Sequence, residues 1–189
     1  MTWGILNEDQ EHVLRVLLDR KLKLTVHDLG CGDFALSKTL LRLGAHRVIG
    51  VDNDEEQASR GRLLSKKIRF ELSSFDFYKD PIAFAFVSWP TNHRSGIKKL
   101  IERSPIVAYL GKNTDGMACG TPSLFEHLTT REVLAYSPDP RNSLIVYGAR
   151  LVERPVLGEE MGGLTDRKII PYNKAAAWDE EHAAEALRA

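Results

Sequence analysis

Between residues 24 and 110 the chain alternates short strand-like runs with amphipathic stretches, and this rhythm restricts the fold more than any other feature. The runs Leu24–Asp28, Arg47–Asp52, Ile68–Leu72, Ala83–Val87 and Ile106–Leu110 have strand length and strand composition. Helical patterns lie between most of them. Ala35–Leu43 is closed by Gly44, Glu55–Ser65 follows the second run, and Ser95–Arg103 is bounded by Pro105. Only a short link separates the third and fourth runs, because Pro81 blocks a long helix there. Strands alternating with crossovers predict a mostly parallel, doubly wound sheet with helices on both faces.

The rhythm then changes. Pro122 suits the first turn of a helix through about Leu128, and two further runs follow, Glu132–Tyr136 and Ser143–Tyr147. The link between them, Ser137–Asn142, is too short for a parallel crossover, so this pair is predicted to be an antiparallel hairpin. The expected architecture is therefore an α/β, doubly wound, mostly parallel seven-stranded sheet with a terminal antiparallel hairpin. An amphipathic helix over 7–20, with Asn7 as its N-cap, precedes this core, and an alanine-rich stretch from Lys174 to Arg188 ends it. The 189 residues read as one domain, with its core at about 20–150.

Ligands of such sheets lie beyond the carboxyl ends of the strands, at the switch point. The segment Asp28-Leu29-Gly30-Cys31-Gly32-Asp33-Phe34 falls there. Gly30 and Gly32 allow a tight turn and close approach of the backbone to a ligand. The helix that follows aims free N–H groups at the same place, which suits a carboxylate or phosphate. Asp28 adds negative charge, so a ligand carrying both an ammonium and a carboxylate matches the arrangement. Asp52 ends the second strand, where an acidic side chain accepts hydrogen bonds from ribose hydroxyls, and Asn53 follows it. Beyond the third strand, Phe75 would cover an adenine ring and Asp76 would accept from its amine.

These residues resemble the class I S-adenosylmethionine-dependent methyltransferases: Asp28, Gly30 and Gly32 match the first family motif, and Asp52 the second. The likeness spans about residues 20–150 and includes the terminal hairpin. It implies a Rossmann-like fold, S-adenosylmethionine as cofactor, and Asp28, Gly30, Cys31, Gly32, Asp52, Asn53, Phe75, Asp76 and Ser88 as its contacts. Phe34 stands where many members have a third glycine. The segments at 88–92 and 109–116 are also similar to those of uncharacterised methyltransferase-like proteins of bacteria and phages. The competing reading is a dinucleotide oxidoreductase, since residues 30–35 also fit G-x-G-x-x-A. Asp28 opposes that reading, because a pyrophosphate prefers an apolar neighbour. The chain also lacks length for a second nucleotide-binding half.

Methyl transfer mainly requires alignment of the acceptor and exclusion of water, and the place for this is the end of the fourth strand. Ser88, Trp89 and Pro90 occupy it, with His93 nearby as a candidate general base. The family's amino-methyltransferases carry two prolines and an aromatic here. This chain keeps Ser88 and Pro90 but has Trp89 and Thr91 at the other places. The bland reading of Trp89-Pro90 is a stiff strand end packed against a helix. The loop Gly111–Gly120 is expected to form the opposite wall. Cys31 and Cys119 lie too far apart for a metal-binding spacing, and no metal is expected.

The balance of 26 basic and 26 acidic residues supplies no global field for nucleic acid. An unidentified methyl acceptor, a small molecule or a protein side chain, is therefore the favoured partner. A nucleic-acid methyltransferase and a non-catalytic S-adenosylmethionine-binding module are the alternatives. No apolar run approaches the ~18 residues of a membrane span, and no signal-peptide core is visible, so a cytoplasmic location is expected.

Overall fold

The computed structural model of the chain describes residues 5–19, 22–56, 65–90, 96–111, 128, 131–139 and 142–151. Seven strands form one sheet: β1 (Thr25–Leu29), β2 (Arg47–Asp52), β3 (Ile68–Leu72), β4 (Phe84–Ser88), β5 (Ile106–Gly111), β6 (Arg131–Ser137) and β7 (Ser143–Leu151). Their order is β3-β2-β1-β4-β5-β7-β6. All pairs from β3 to β5 are parallel, and β7 runs antiparallel to both β5 and β6. The chain moves outward from β1 to β3 and then returns to the other side of β1 with β4. The switch point thus lies between β1 and β4, where a crevice opens beyond the strand ends.

The central strands are buried along almost their whole length because both faces are covered. On one face, α1 (Glu8–Leu17) and α2 (Ala35–Leu43) set Val13, Leu14, Leu17, Leu36 and Leu40 against Val26, Val48, Phe84 and Phe86. On the other, α3 (Gly96–Glu102) and the link after β3 set Ile97, Ile101, Phe75 and Tyr78 against Leu29, Ile49, Ala85 and Val107.

Asn7 does cap α1. Its side chain accepts the Gln10 N–H at 2.9 Å while the Gln10 side chain accepts the Asn7 N–H at 3.1 Å. Gln10 also donates to the Asn142 carbonyl at 2.7 Å, which docks the helix on the β6–β7 turn. At the opposite end of the sheet the buried Arg131 donates to the carbonyls of Ile101 and Ser104, at 3.0 and 2.8 Å. That satisfies acceptors where α3 ends and ties β6 to it.

The link from β3 to β4 is extended and turned rather than helical, as Pro81 predicts. The N–H groups of Phe77 and Tyr78 return to the Ser74 carbonyl, at 3.0 and 3.2 Å. The Arg103 guanidinium donates to the carbonyls of Tyr78 and Lys79, at 2.9 and 3.1 Å. Residues 57–64 of the expected helix after β2, the 112–120 part of the expected wall loop, and the terminal stretch lie outside the described residues.

Candidate functional site

β1 delivers Gly30 to the crevice with φ +83°, and Gly32 follows at φ +50°. Both values lie in the left-handed region that favours glycine. Among the described residues, nothing lies within 4 Å of where a Gly32 side chain would begin, so this part of the loop faces open space. The Gly30 N–H donates to the Val51 carbonyl at 2.8 Å, and the Gly32 N–H donates to Asp52 Oδ2 at 3.2 Å. Asp52 Oδ1 accepts from the Asn53 N–H at 2.8 Å. The carboxylate that ends β2 is thus bonded to the glycine loop 20 residues away. Asp52 Oδ1 also accepts from the Asp54 N–H at 3.3 Å.

Phe34 accounts for the missing third glycine. It has φ +62°, so this position does call for the left-handed conformation, at about 1–2 kcal/mol for a side-chain-bearing residue. Its ring is fully buried and meets Phe70 edge-on, with centroids 5.4 Å apart. The space comes from Gly50 on β2. A side chain there would begin 2.7 Å from Cys31 Sγ and 3.0 Å from Phe34 Cε1. A side chain stands in the loop where the backbone favours glycine, and a glycine on the neighbouring strand gives it room. Sequence reading missed Gly50, whose signal is a glycine inside a strand otherwise made of large apolar residues. Cys31 turns its thiol into this packing, where burial holds it well above the ordinary thiol range.

Asp28 is sealed, with 1% of its surface exposed, and accepts a hydrogen bond from Ser37 of α2 at 2.5 Å. Burial pushes its carboxyl up to about 6; the Ser37 bond opposes this, and the nearby charges of Asp52 and Asp33 add to it. It acts on the site as a charge beneath the loop. Because its folded value is raised, its contribution to stability is full below the ordinary 3.8 and is lost as pH rises through about 6. Asp28→Asn, which keeps the Ser37 contact, should therefore gain stability over the parent between pH 4 and 7. Urea unfolding at both pH values checks this, and an equal difference at each would refute the assignment.

Phe75 is buried, its ring 3.9 Å from where a Gly30 side chain would begin. Asp76 is exposed beside it and pairs with Lys99 at 3.5 Å. At the end of β4, Ser88 stands opposite Leu110 of β5 and is half-buried. Trp89 has φ +46° while its N–H donates to the Leu110 carbonyl at 2.9 Å. A bulky aromatic held in that region is strained, as residues at functional rims often are. Pro90 follows, buried. The structure thus brings Gly30, Gly32, Asp52 and Phe75 together around one loop, and Ser88 and Trp89 to the adjacent strand end. His93 and residues 112–120 lie outside the described residues.

No helix among the described residues is long and apolar enough to cross a membrane. No protein-family pattern matches the chain, and no curated protein is similar to it in sequence. Solved structures do match its fold. One is the magnesium protoporphyrin IX methyltransferase of Synechocystis with bound S-adenosylmethionine. It is 16% identical with a TM-score of 0.53, over 78% of this chain and 86% of that one. Another is the 1,6-didemethyltoxoflavin-N1-methyltransferase of Burkholderia thailandensis with S-adenosylhomocysteine, 18% identical with a TM-score of 0.52, over 73% and 77%. A third is an rRNA methylase of Streptococcus thermophilus, 14% identical with a TM-score of 0.52, over 77% and 98%. The chain has the class I methyltransferase Rossmann-like fold.

Proposed function

We propose that this protein is an S-adenosylmethionine-dependent methyltransferase whose acceptor enters above the ends of β4 and β5. The observation that carries the reading is the union of Asp52 with the glycine loop through the Gly32 N–H, beside open space. It sets a carboxylate suited to ribose hydroxyls next to a backbone cradle. The fold supports it too, since proteins of this fold were crystallised with S-adenosylmethionine or S-adenosylhomocysteine.

The residues fit that group chemically. The loop at Gly30–Gly32 and the first turn of α2 receive its methionine carboxylate, and Asp52 with Asn53 holds the ribose. Phe75 and Asp76 stand on the adenine side. The charges of Asp52 and Asp33 add to the cost of ionising Asp28 beneath the loop, and a ligand bearing ammonium and sulfonium charges offsets that cost. Bound S-adenosylmethionine supplies an electrophilic methyl group. The chain's task is then to align an acceptor and keep water out, which falls to Ser88, Trp89 and Pro90. The Ser88 hydroxyl can accept from or donate to the acceptor, and His93 is the candidate base.

The acceptor is a small molecule or a protein side chain, a reading supported by the balanced charge. The likeness to an rRNA methylase is the observation in favour of nucleic acid. A cytoplasmic location is part of the same proposal. Calorimetry should show binding of S-adenosylmethionine or S-adenosylhomocysteine, and much weaker binding of NAD. Tight NAD binding with no response to S-adenosylhomocysteine would overturn the proposal in favour of a dinucleotide enzyme.

A further inference from the structure

β1 carries a second buried titratable group next to Asp28, on the opposite face. His27 is 2% exposed, and neither of its ring nitrogens has a hydrogen-bond partner among the described residues. Its neighbours across the sheet are Ile49 and Ala85, which offer no side-chain acceptor. What covers it is the link 73–83, through the Tyr78 ring, whose centroid is 5.7 Å away at 65°. No helix lies in that link, so its seat on the sheet depends on Phe75, Tyr78 and Ile82, on the two Arg103 hydrogen bonds, and on the contact of Phe75 and Asp76 with Gly96 and Lys99 of α3. The same link carries Phe75 to the underside of Gly30. The cover of His27 and the adenine side of the glycine loop are one piece of chain.

We propose that residues 73–83 form a proton-sensitive clasp on the cofactor site: a proton on His27 lifts the segment from the sheet and opens the adenine side of the crevice. The inference rests on the S-adenosylmethionine reading for what the clasp controls.

A charged imidazolium with no acceptor in an apolar seat is strongly disfavoured, and the cheapest escape is to admit water from the side with no helix. The groups facing His27 are Tyr78 and Asp80 of the clasp, Arg69 of β3, which pairs with Glu71, and Arg103 just beyond α3. Burial holds the imidazole down to about 4; Asp80 favours the proton, and Arg103 and Arg69 oppose it. Asp28 faces the other side. A lifted clasp returns the ring to water and its ordinary 6.5. The closed form is therefore fully favoured above 6.5 and loses ground as pH falls toward 4, by roughly tenfold per pH unit. Acidification would weaken cofactor binding without unfolding the sheet.

Amide hydrogen exchange of the unliganded protein from pH 7.5 to 4.5, corrected for intrinsic rates, reads the clasp directly. The Phe77 and Tyr78 amides should lose protection by about tenfold per pH unit below 6.5, while those of β4 and β5 hold. In His27→Phe the protection should not depend on pH. An equal slope in that variant, or loss of β4 and β5 protection together with the clasp, overturns the proposal. Should the variant not fold, ring-nitrogen NMR of the parent decides: His27 titrating near 6.5 with Tyr78 still protected overturns it. S-adenosylhomocysteine titrations at pH 7.5 and 5 complete the test, with a larger loss at pH 5 expected in the parent than in His27→Phe, which keeps only the loss due to Asp28. A protein that binds none at either pH refutes the cofactor reading, and the exchange slope still decides the clasp.

Discussion

Replacing Phe34 by alanine is expected to destabilise the fold by about 3–5 kcal/mol, the range for deleting a buried aromatic side chain. The ring is fully buried, packs on Phe70, and occupies space that Gly50 leaves open on β2. Alanine would leave a cavity under the glycine loop, and a loop without its floor should also lose affinity for S-adenosylhomocysteine. Phe34→Gly separates packing from backbone strain. Elsewhere at a helix start glycine gains nothing so large over alanine, but at φ +62° it avoids the left-handed penalty of about 1–2 kcal/mol. The glycine variant should therefore be the more stable of the two by roughly that amount. Guanidinium unfolding of both proteins checks the order. Alanine matching or exceeding glycine would mean that the backbone relaxes once the ring is gone.

Asp52→Ala should weaken S-adenosylhomocysteine binding by about 1–3 kcal/mol, the cost of leaving hydrogen-bonding groups unpaired. Two effects combine. The ligand's ribose loses its acceptor, and the Gly32 N–H loses the carboxylate at 3.2 Å that holds the loop to β2. Asp52→Asn separates them. The amide oxygen can still accept from Gly32, so the loop should stay in place while the charge on the ribose side disappears. An intermediate affinity for the asparagine variant is the expected result, measured by calorimetry alongside thermal unfolding. If both variants bind as the parent does, Asp52 only braces the loop and the ribose is held elsewhere.

Much of the site was legible from residue order because its parts lie at strand ends. A run of β-branched residues followed by Gly30-Cys31-Gly32 requires a turn at the carboxyl end of a strand. An acidic residue closing the next strand must then stand beside that turn. The reversal at β6–β7 was equally legible, since the Ser137–Asn142 link is too short for a crossover. Asn7 as a cap needed only its place before an apolar period, and the observed bond to the Gln10 N–H agrees.

The partners were not legible where they meet across the sheet. That Phe34 can stand in a position shaped for glycine depends on Gly50, 16 residues later, and on the Phe70 ring from β3. His27 and Asp28 had to point to opposite faces, since strand side chains alternate. Which group would be left without a partner was decided by the covering elements. α2 brings Ser37 to Asp28, whereas the helix-free link brings His27 only the edge of Tyr78. Local pattern determined the strands, the glycine turn and the carboxylate beside it, because these follow from backbone geometry and side-chain period. Tertiary packing alone decided what lies beneath the loop and how it responds to protons, because burial and satisfaction of a polar group depend on atoms distant in the chain.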